Sequence, residues 1–248
     1  LTALAGRSEL GLADPVASGI TPGSGPGHLA LFGYDPVRNV IGRGALSAAG
    51  VNFPLEKGDV AARANFATLD AKGNILDRRA GRIPTEVCAE RCRILSGIAG
   101  VKVLPEKDHR AVVIFRGKEL SPTVTDTDPQ RTGVLPLVCK ATNPKGAALA
   151  KRVNAFLKIA RERLKGLDRA NGLLLRGFDV KPDLARLEDL YGLKCTAIAS
   201  YPMYKGLARL AGMRIVEDLA DFEAELHALP KALASSDFVF LHFKATDS

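Results

Sequence analysis

The alternation of apolar and polar positions divides the chain into strands and helices from one end to the other. Residues 60–69 (VAARANFATL) read as a strand. A turn at 70–74 (DAKGN) leads into 75–78 (ILDR), which makes the pair a hairpin. A helix follows from Pro84, with Thr85 or Ile83 near its cap; Cys88, Cys92, Leu95 and Ile98 keep helical spacing and Gly100 ends it. Residues 101–104 and 111–115 form a second pair of strands, and 117–146, with Pro122, Pro129, Pro136 and Pro144, read as loop. A long helix is predicted over 146–165, where Leu149, Val153, Phe156, Ala160 and Leu164 make one apolar stripe opposed by Lys and Arg. Leu173 to Arg176 is a short buried-type strand with a charge at its tip.

The last part repeats the alternation. Residues 195–199 are strand-like, 204–210 and 222–233 are helical, and 237–243 (DFVFLHF) is almost continuously apolar. Such a run is expected of a central parallel strand covered on both faces. At the other end a short helical stretch precedes a segment rich in Gly, Pro and Ser. Residues 19–28 (GITPGSGPGH) read as loop, and Leu29 to Phe32 as the apolar turn that opens a helix. A glycine-rich loop running into a helix start presents backbone N–H groups to an anion. The chain is α/β throughout, without internal repeat or low-complexity tract.

Composition narrows the classes. With 248 residues, 46% hydrophobic and 25% charged, the chain can bury a core of one large or two smaller domains. No apolar run approaches the roughly 18 residues a spanning helix needs, which argues against a membrane role. The chain begins at Leu1 with no charged-then-apolar leader, so it reads as a piece of something longer that carries no secretion signal. Four cysteines (Cys88, Cys92, Cys139, Cys195) lack a second pair of Cys or His at zinc-like spacing, and read as buried reduced thiols of a cytoplasmic protein. The net charge of +8 calls for anionic partners. With no Trp, four Tyr and no basic stretch interleaved with aromatics, nucleic acid is the poorer match. Arginines placed singly or in tight pairs beside glycines and strands favour small phosphates or carboxylates.

Five segments carry a family resemblance. Residues 21–36 (TPGSGPGHLALFGYDP), 58–68 (GDVAARANFAT), 77–83 (DRRAGRI), 201–209 (YPMYKGLAR) and 241–247 (LHFKATD) resemble, in order, successive blocks of archaeal-type cofactor-independent phosphoglycerate mutases. That family belongs to the alkaline-phosphatase-like metalloenzymes. The resemblance implies a partial phosphatase-like core with an inserted α/β substrate-binding domain: 1–41 as core with the nucleophile loop, 42–182 as the insert, and 183–248 as the return to the core. It also implies interconversion of 2-phosphoglycerate and 3-phosphoglycerate in glycolysis and gluconeogenesis through a metal-assisted phosphoserine, without 2,3-bisphosphoglycerate. A serine hydroxyl is a weak nucleophile at neutral pH, and a divalent cation makes its alkoxide accessible.

By this likeness Ser24 matches the nucleophile, Lys205 a lysine that contacts the phosphoryl group, and Asp247, with Ser24, a metal ligand. The competing assignments are a loop serine, a solvated helix lysine and a terminal aspartate. His28 is assigned to helix-start or loop packing. Among the cationic residues, Arg82, Arg63, Arg176 and Arg110, with His109, are the candidate substrate binders. Arg78, Arg79 and Arg116 are assigned to the surface or to salt bridges, and residues 126–129 (DTDP) could add polar contacts.

The chain also departs from the family. The Asp-Gly metal segment is expected before Leu1, and metal-binding histidines and a further aspartate after Ser248. Two divalent ions (Mn, Mg, Zn or Co) are therefore expected in the longer parent, whereas this piece is expected to be metal-free and inactive. Other phosphatases or phosphomutases of the same superfamily, and a basic anion- or nucleic-acid-binding module, stand as alternatives. The expected partner is a phosphoglycerate; the oligomeric state stays open, with a homo-oligomer one possibility.

Overall fold

The computed structural model describes residues 2–20 and 22–246, and these fall into two compact units divided between Val40 and Ile41. The first unit holds α1 (Thr2–Ala5) and α2 (Ser24–Leu31). Helix α2 begins five residues earlier than its apolar turn predicts. Gly23 is its extended N-cap (φ −72°, ψ 161°), and Pro26 sits in the first turn, where a missing N–H costs nothing. Composition alone made this stretch look like loop, because glycine and proline lower helix propensity without regard to position.

The second unit opens with α3 (Arg43–Gly50) and then lays down β1 (Val60–Leu69), β2 (Ile75–Asp77), α4 (Thr85–Ile94), β3 (Val101–Lys107) and β4 (Arg110–Phe115). After the proline-rich stretch come α5 (Ala147–Leu164) and β5 (Gly172–Asp179). Strand β1 is the axis of the resulting antiparallel sheet. It pairs with β4 through Val60–Asn65, with β2 at its far end, and with β5 along its other edge; β3 lies outside β4.

Alternation along β1 decides what each face does. Val60, Ala62, Ala64 and Phe66 point into the main core with Val113, Phe115, Leu173 and Leu175, under Cys88 and Cys92 of α4 and the α5 stripe Leu149, Val153, Phe156, Ala160 and Leu164. The opposite face is covered in part by α3, whose Ala45 and Ala48 pack on Ala61, Val112 and Ile114. Helix α3 lies so close to β1 that a Cβ on Gly44 would overlap the Ala61 carbonyl oxygen. The rest of that face carries Arg63 and Asn65, and Arg63 Nε donates to Ser47 Oγ of α3 at 3.2 Å.

Helix α4 is shorter than predicted. Pro84, extended at ψ 153°, is its N-cap, and the helix closes at Ile94, with Gly97 and Gly100 both at positive φ beyond it. Leu95 is still buried, at the C-cap, so the apolar stripe outruns the helix by a turn.

A second, parallel sheet follows: α6 (Leu187–Tyr191), β6 (Cys195–Ala199), α7 (Pro202–Leu210), β7 (Arg214–Val216), α8 (Phe222–Ala234) and β8 (Phe238–His242). Its order is β7-β6-β8. The apolar run at 237–243 is parallel to β6, as expected, but it does not lie in the centre. Among the described residues β8 is an edge strand, with Phe238 38% exposed, and the middle strand, buried from Thr196 to Ala199, is β6. An apolar run registers the covering a strand can accept, and says nothing of how many neighbours pair with it.

Candidate functional site, a cationic recess on the uncovered face of the sheet

The face of β1 that carries Arg63 and Asn65 forms the floor of a small recess. Arg63 stands on β1 directly opposite Arg176 of β5, and Asn65 stands directly opposite Arg110 of β4. Arg43 enters from the first turn of α3, and Arg78 and Arg79 enter from the segment after β2. His109, from the β3–β4 turn, completes the lining. The enclosed space is about 110 Å³, which suits a small metabolite better than a ligand of several hundred Å³.

Six guanidiniums converge here, yet the carboxylates that balance them are few. Asp128 takes Arg78 at both oxygens, at 2.9 and 2.7 Å, and is 3.8 Å from Arg176. Glu106 lies 3.5 Å from Arg63, and Asp108 3.6 Å from Arg110. Arg43 and Arg79 make no ion pair among the described residues. Burial, and then the charges of Arg176 and Arg63, lower the pKa of Arg43, against a weaker pull from Asp126. Burial pushes the Asp128 carboxyl up, but the Arg78 hydrogen bond, the Gln130 N–H and the two arginine charges outweigh it and hold it below the usual range. An excess of fixed cations in a partly desolvated recess is stabilised by an anion, and by little else.

The frame of the recess is rigid. Asp77 accepts from Arg79 N–H at 2.8 Å and Gly81 N–H at 2.6 Å, and so folds the 78–82 turn that aims Arg78 and Arg79 inward. Ala80 and Arg82 there, Asp108 in the β3–β4 turn and Gln130 beside Asp128 all have positive φ without being glycine. Such conformations cost about 1 kcal/mol or more each and persist where surrounding structure enforces them. The turn carrying His109 is pinned from both sides: Asp108 N–H donates to Thr85 Oγ1, and the His109 carbonyl accepts from Phe66 N–H. His109 is 1% exposed. Burial first, then Arg110, Arg79 and Arg82, against an opposing pull from Asp108, push its pKa down to about 4, so it is neutral at pH 7.

Of the residues named from the sequence, Arg63, Arg110, Arg176 and His109 meet in this recess. Arg82 does not line it; it is exposed beyond the turn, close enough to act on His109 through space. Arg78 is ion-paired, as assigned, but lines the recess as well, as does Arg79. Arg116 pairs with Asp59 and Glu56 and stacks on Phe53. Sequence reasoning did not single out Arg43 or Asn65. The period-two alternation of β1 was the available signal for Asn65, since it shares a face with Arg63.

Lys205 of α7 donates to Glu217 at 2.5 Å, and Arg209 holds the other oxygen of the same carboxylate. In the first unit Ser24 is exposed in the first turn of α2, and His28 Nδ1 donates to the Ser24 carbonyl at 2.7 Å. Asp247 lies outside the described residues. Among the described residues no group of three or more His, Cys, Asp or Glu side chains could hold a metal ion. Three larger recesses are found among the described residues: about 650 Å³ beside Lys158, Arg161 and Lys165, about 390 Å³ between α3 and α7, and about 240 Å³ beside Arg186, Lys194 and Arg214. The first mixes its cations with Asp70 and Glu162, the second is mainly apolar, and the third holds Glu188 with its cations, so none gathers as many guanidiniums as the recess on the sheet.

Fold and recess together define an α/β protein with a cationic pocket of small-anion size. A family profile described as 2,3-bisphosphoglycerate-independent phosphoglycerate mutase matches residues 5–168. A probable 2,3-bisphosphoglycerate-independent phosphoglycerate mutase of Thermus thermophilus is 50% identical over 257 aligned positions, covering 100% of this chain and 63% of the relative. The counterpart from Aquifex aeolicus is 44% identical, with 64% of its length covered. A solved cofactor-independent phosphoglycerate mutase from Thermoplasma acidophilum superposes with a TM-score of 0.66 at 31% identity, over 87% of this chain and 63% of that one. A solved Pyrococcus horikoshii protein gives a TM-score of 0.71 at 26% identity, over 93% of this chain and 58% of that one. The chain belongs to the 2,3-bisphosphoglycerate-independent phosphoglycerate mutase family, and it spans a little under two thirds of the length of the relatives it matches.

Proposed function

We propose that this chain binds phosphoglycerate in the arginine recess and belongs to an enzyme that interconverts 2-phosphoglycerate and 3-phosphoglycerate. The observation that carries the reading is the convergence of Arg43, Arg63, Arg78, Arg79, Arg110 and Arg176 on a space of about 110 Å³ with too few carboxylates to balance them. A phosphoglycerate brings a phosphate and a carboxylate a few bonds apart, and planar guanidiniums grip both groups through paired N–H donors. Arg63, Arg110 and Arg176 are the floor contacts in this reading, His109 adds a neutral polar contact, and Arg82 acts from the rim. Residues 42–182 then form the substrate-binding insert, flanked by segments of a phosphatase-like core.

Ser24 Oγ is the phosphoryl acceptor in this reading. The Oγ–P bond forms as the P–O bond to one glycerate oxygen breaks, the serine proton passing to that departing oxygen, and the second half of the cycle returns the group to the other carbon's oxygen, whose proton goes back to Oγ. Lys205 neutralises the phosphoryl charge during transfer, and the Glu217 carboxylate holds its ammonium in place. The described residues supply no complete set of metal ligands, and the roles given to Ser24 and Lys205 rest on the family likeness of their segments.

Thermal unfolding at fixed ionic strength, with 3-phosphoglycerate, ribose 5-phosphate, sulfate and a single-stranded oligonucleotide as separate additives, tests the reading. Ligand that binds only the folded state raises the midpoint with concentration. Phosphoglycerate should raise it most. An equal shift with sulfate reduces the recess to an unspecific anion site, and a larger shift with the oligonucleotide replaces this reading with nucleic-acid binding.

A further inference from the structure

The recess holds something that anion binding leaves unused. Two of its buried polar atoms, Asn65 Oδ1 and His109 Nδ1, have no hydrogen-bond partner among the described residues. A buried polar atom without a partner is costly, and in a native site it points to a group that arrives later. The arginines satisfy ligand oxygens, since a guanidinium only donates. Fully ionised phosphate and carboxylate groups only accept, so they cannot satisfy an acceptor in the wall. A ligand hydroxyl can, because it carries a proton to donate.

The side chains are suited to that task. Asn65 has no charge at any pH, and it lies in register with Arg110 across β1 and β4, two residues from Arg63 on the same face. A hydroxyl beside an anion held by Arg110 and Arg63 therefore meets an amide instead of another cation. His109 is held neutral, and with its proton on Nε2 its Nδ1 is an acceptor. We propose that Asn65 is a specificity residue: its amide, assisted by His109, accepts the hydroxyl proton of the bound phospho-acid and so selects hydroxylated ligands over deoxy ones. The proposal rests on the reading of the recess as a phosphoglycerate site, and adds to it the group that distinguishes this substrate from other compounds bearing phosphate and carboxylate.

Calorimetric titration of the chain with 3-phosphoglycerate and with 3-phosphonooxypropanoate, which lacks the 2-hydroxyl, tests it at fixed ionic strength. The wild-type chain should prefer the hydroxylated ligand by about ten- to a hundredfold, the range for leaving buried partners unpaired. Asn65→Leu should bring that ratio to within about threefold of unity by weakening 3-phosphoglycerate while leaving the deoxy analogue nearly unchanged. Asn65→Val, better suited to a strand, repeats the comparison if the leucine variant folds poorly, and the wild-type ratio needs no variant at all. Equal affinities in the wild-type chain overturn the proposal and leave the phosphoglycerate reading standing. A preference that survives both substitutions overturns the role of Asn65, and failure of the wild-type chain to bind either compound overturns the reading and the proposal together.

Discussion

Arg63 and Arg176 face one another directly across β1 and β5, two like charges at a single register position of the sheet floor. Like charges so placed are destabilising by roughly 0.2–1 kcal/mol, and the two are compensated unequally. Glu106 approaches Arg63 at 3.5 Å, and its side chain is 1% exposed. Arg176 reaches Asp128 only at 3.8 Å, and that carboxylate keeps its two short bonds to Arg78 without it.

The two arginines should therefore respond differently to removal. Arg176→Leu is expected to leave the unliganded chain equally stable, or more stable by up to about 1 kcal/mol, because a repulsion is lost and no carboxylate is orphaned. Arg63→Leu should destabilise by about 1–3 kcal/mol, since Glu106 stays buried without its cation. Urea unfolding of both variants checks the pair. Both should bind phosphoglycerate more weakly, so only stability separates them.

Asp128→Asn should cost about 3 kcal/mol near neutral pH, by breaking the two-point contact with Arg78. The pH dependence has a definite sign. The folded-state pKa of Asp128 is lowered, so its stabilisation is fully present above the unfolded value of 3.8 and is lost as pH falls through the lower folded value. The gap in unfolding free energy between wild type and variant should narrow as pH falls below 3.8 and through the lower folded value, measured by urea unfolding across the acid range.

His109 adds to the same acid sensitivity at higher pH. Its folded pKa of about 4 lies below the ordinary 6.5, so between these values the unfolded chain binds more protons. Stability should fall as pH drops from 6.5 towards 4, by an amount on the order of 2 kcal/mol that His109→Leu removes. Titration of the imidazole by NMR should give a midpoint near 4 that rises when phosphoglycerate neutralises the surrounding arginines.

Gly44 tests the packing that sets the edge of the recess. A methyl group there overlaps the Ala61 carbonyl, so Gly44→Ala should cost about 2–3 kcal/mol. Because Arg43 precedes it at the start of α3, the same substitution should weaken anion binding, whereas an alanine at exposed Gly11 should do neither. Denaturation and calorimetry on the two variants decide it.

What was legible in the sequence follows from how local its cause is. The α5 stripe and strands β1, β3, β4 and β6 are written in side-chain periods of 3.6 or 2, and they stand where the periods put them. The three-residue β7 and five-residue α6 are too short to show any period, and neither was foreseen. The edge position of β8 depends on a pairing order that no local pattern records. The recess shows the same division. Arg63, Arg110, Arg176 and His109 stood out as charges or polar groups at strand tips and turns. Arg78 and Arg79 looked like surface residues, because only the positive-φ turn after Asp77 brings them inward. Arg43 arrives from a helix whose approach depends on Gly44. Arg82, foremost in the sequence reading, is carried away from the recess by the same turn.

The most direct test of the whole account is chemical-shift mapping of the arginine side chains and the His109 ring during titration with 3-phosphoglycerate at fixed ionic strength. The account predicts saturable shifts at Arg63, Arg110, Arg176 and His109, with Arg161 unmoved. Shifts confined to Arg161 and its neighbours, in the larger recess at the end of α5, with the sheet-floor arginines silent, would contradict it.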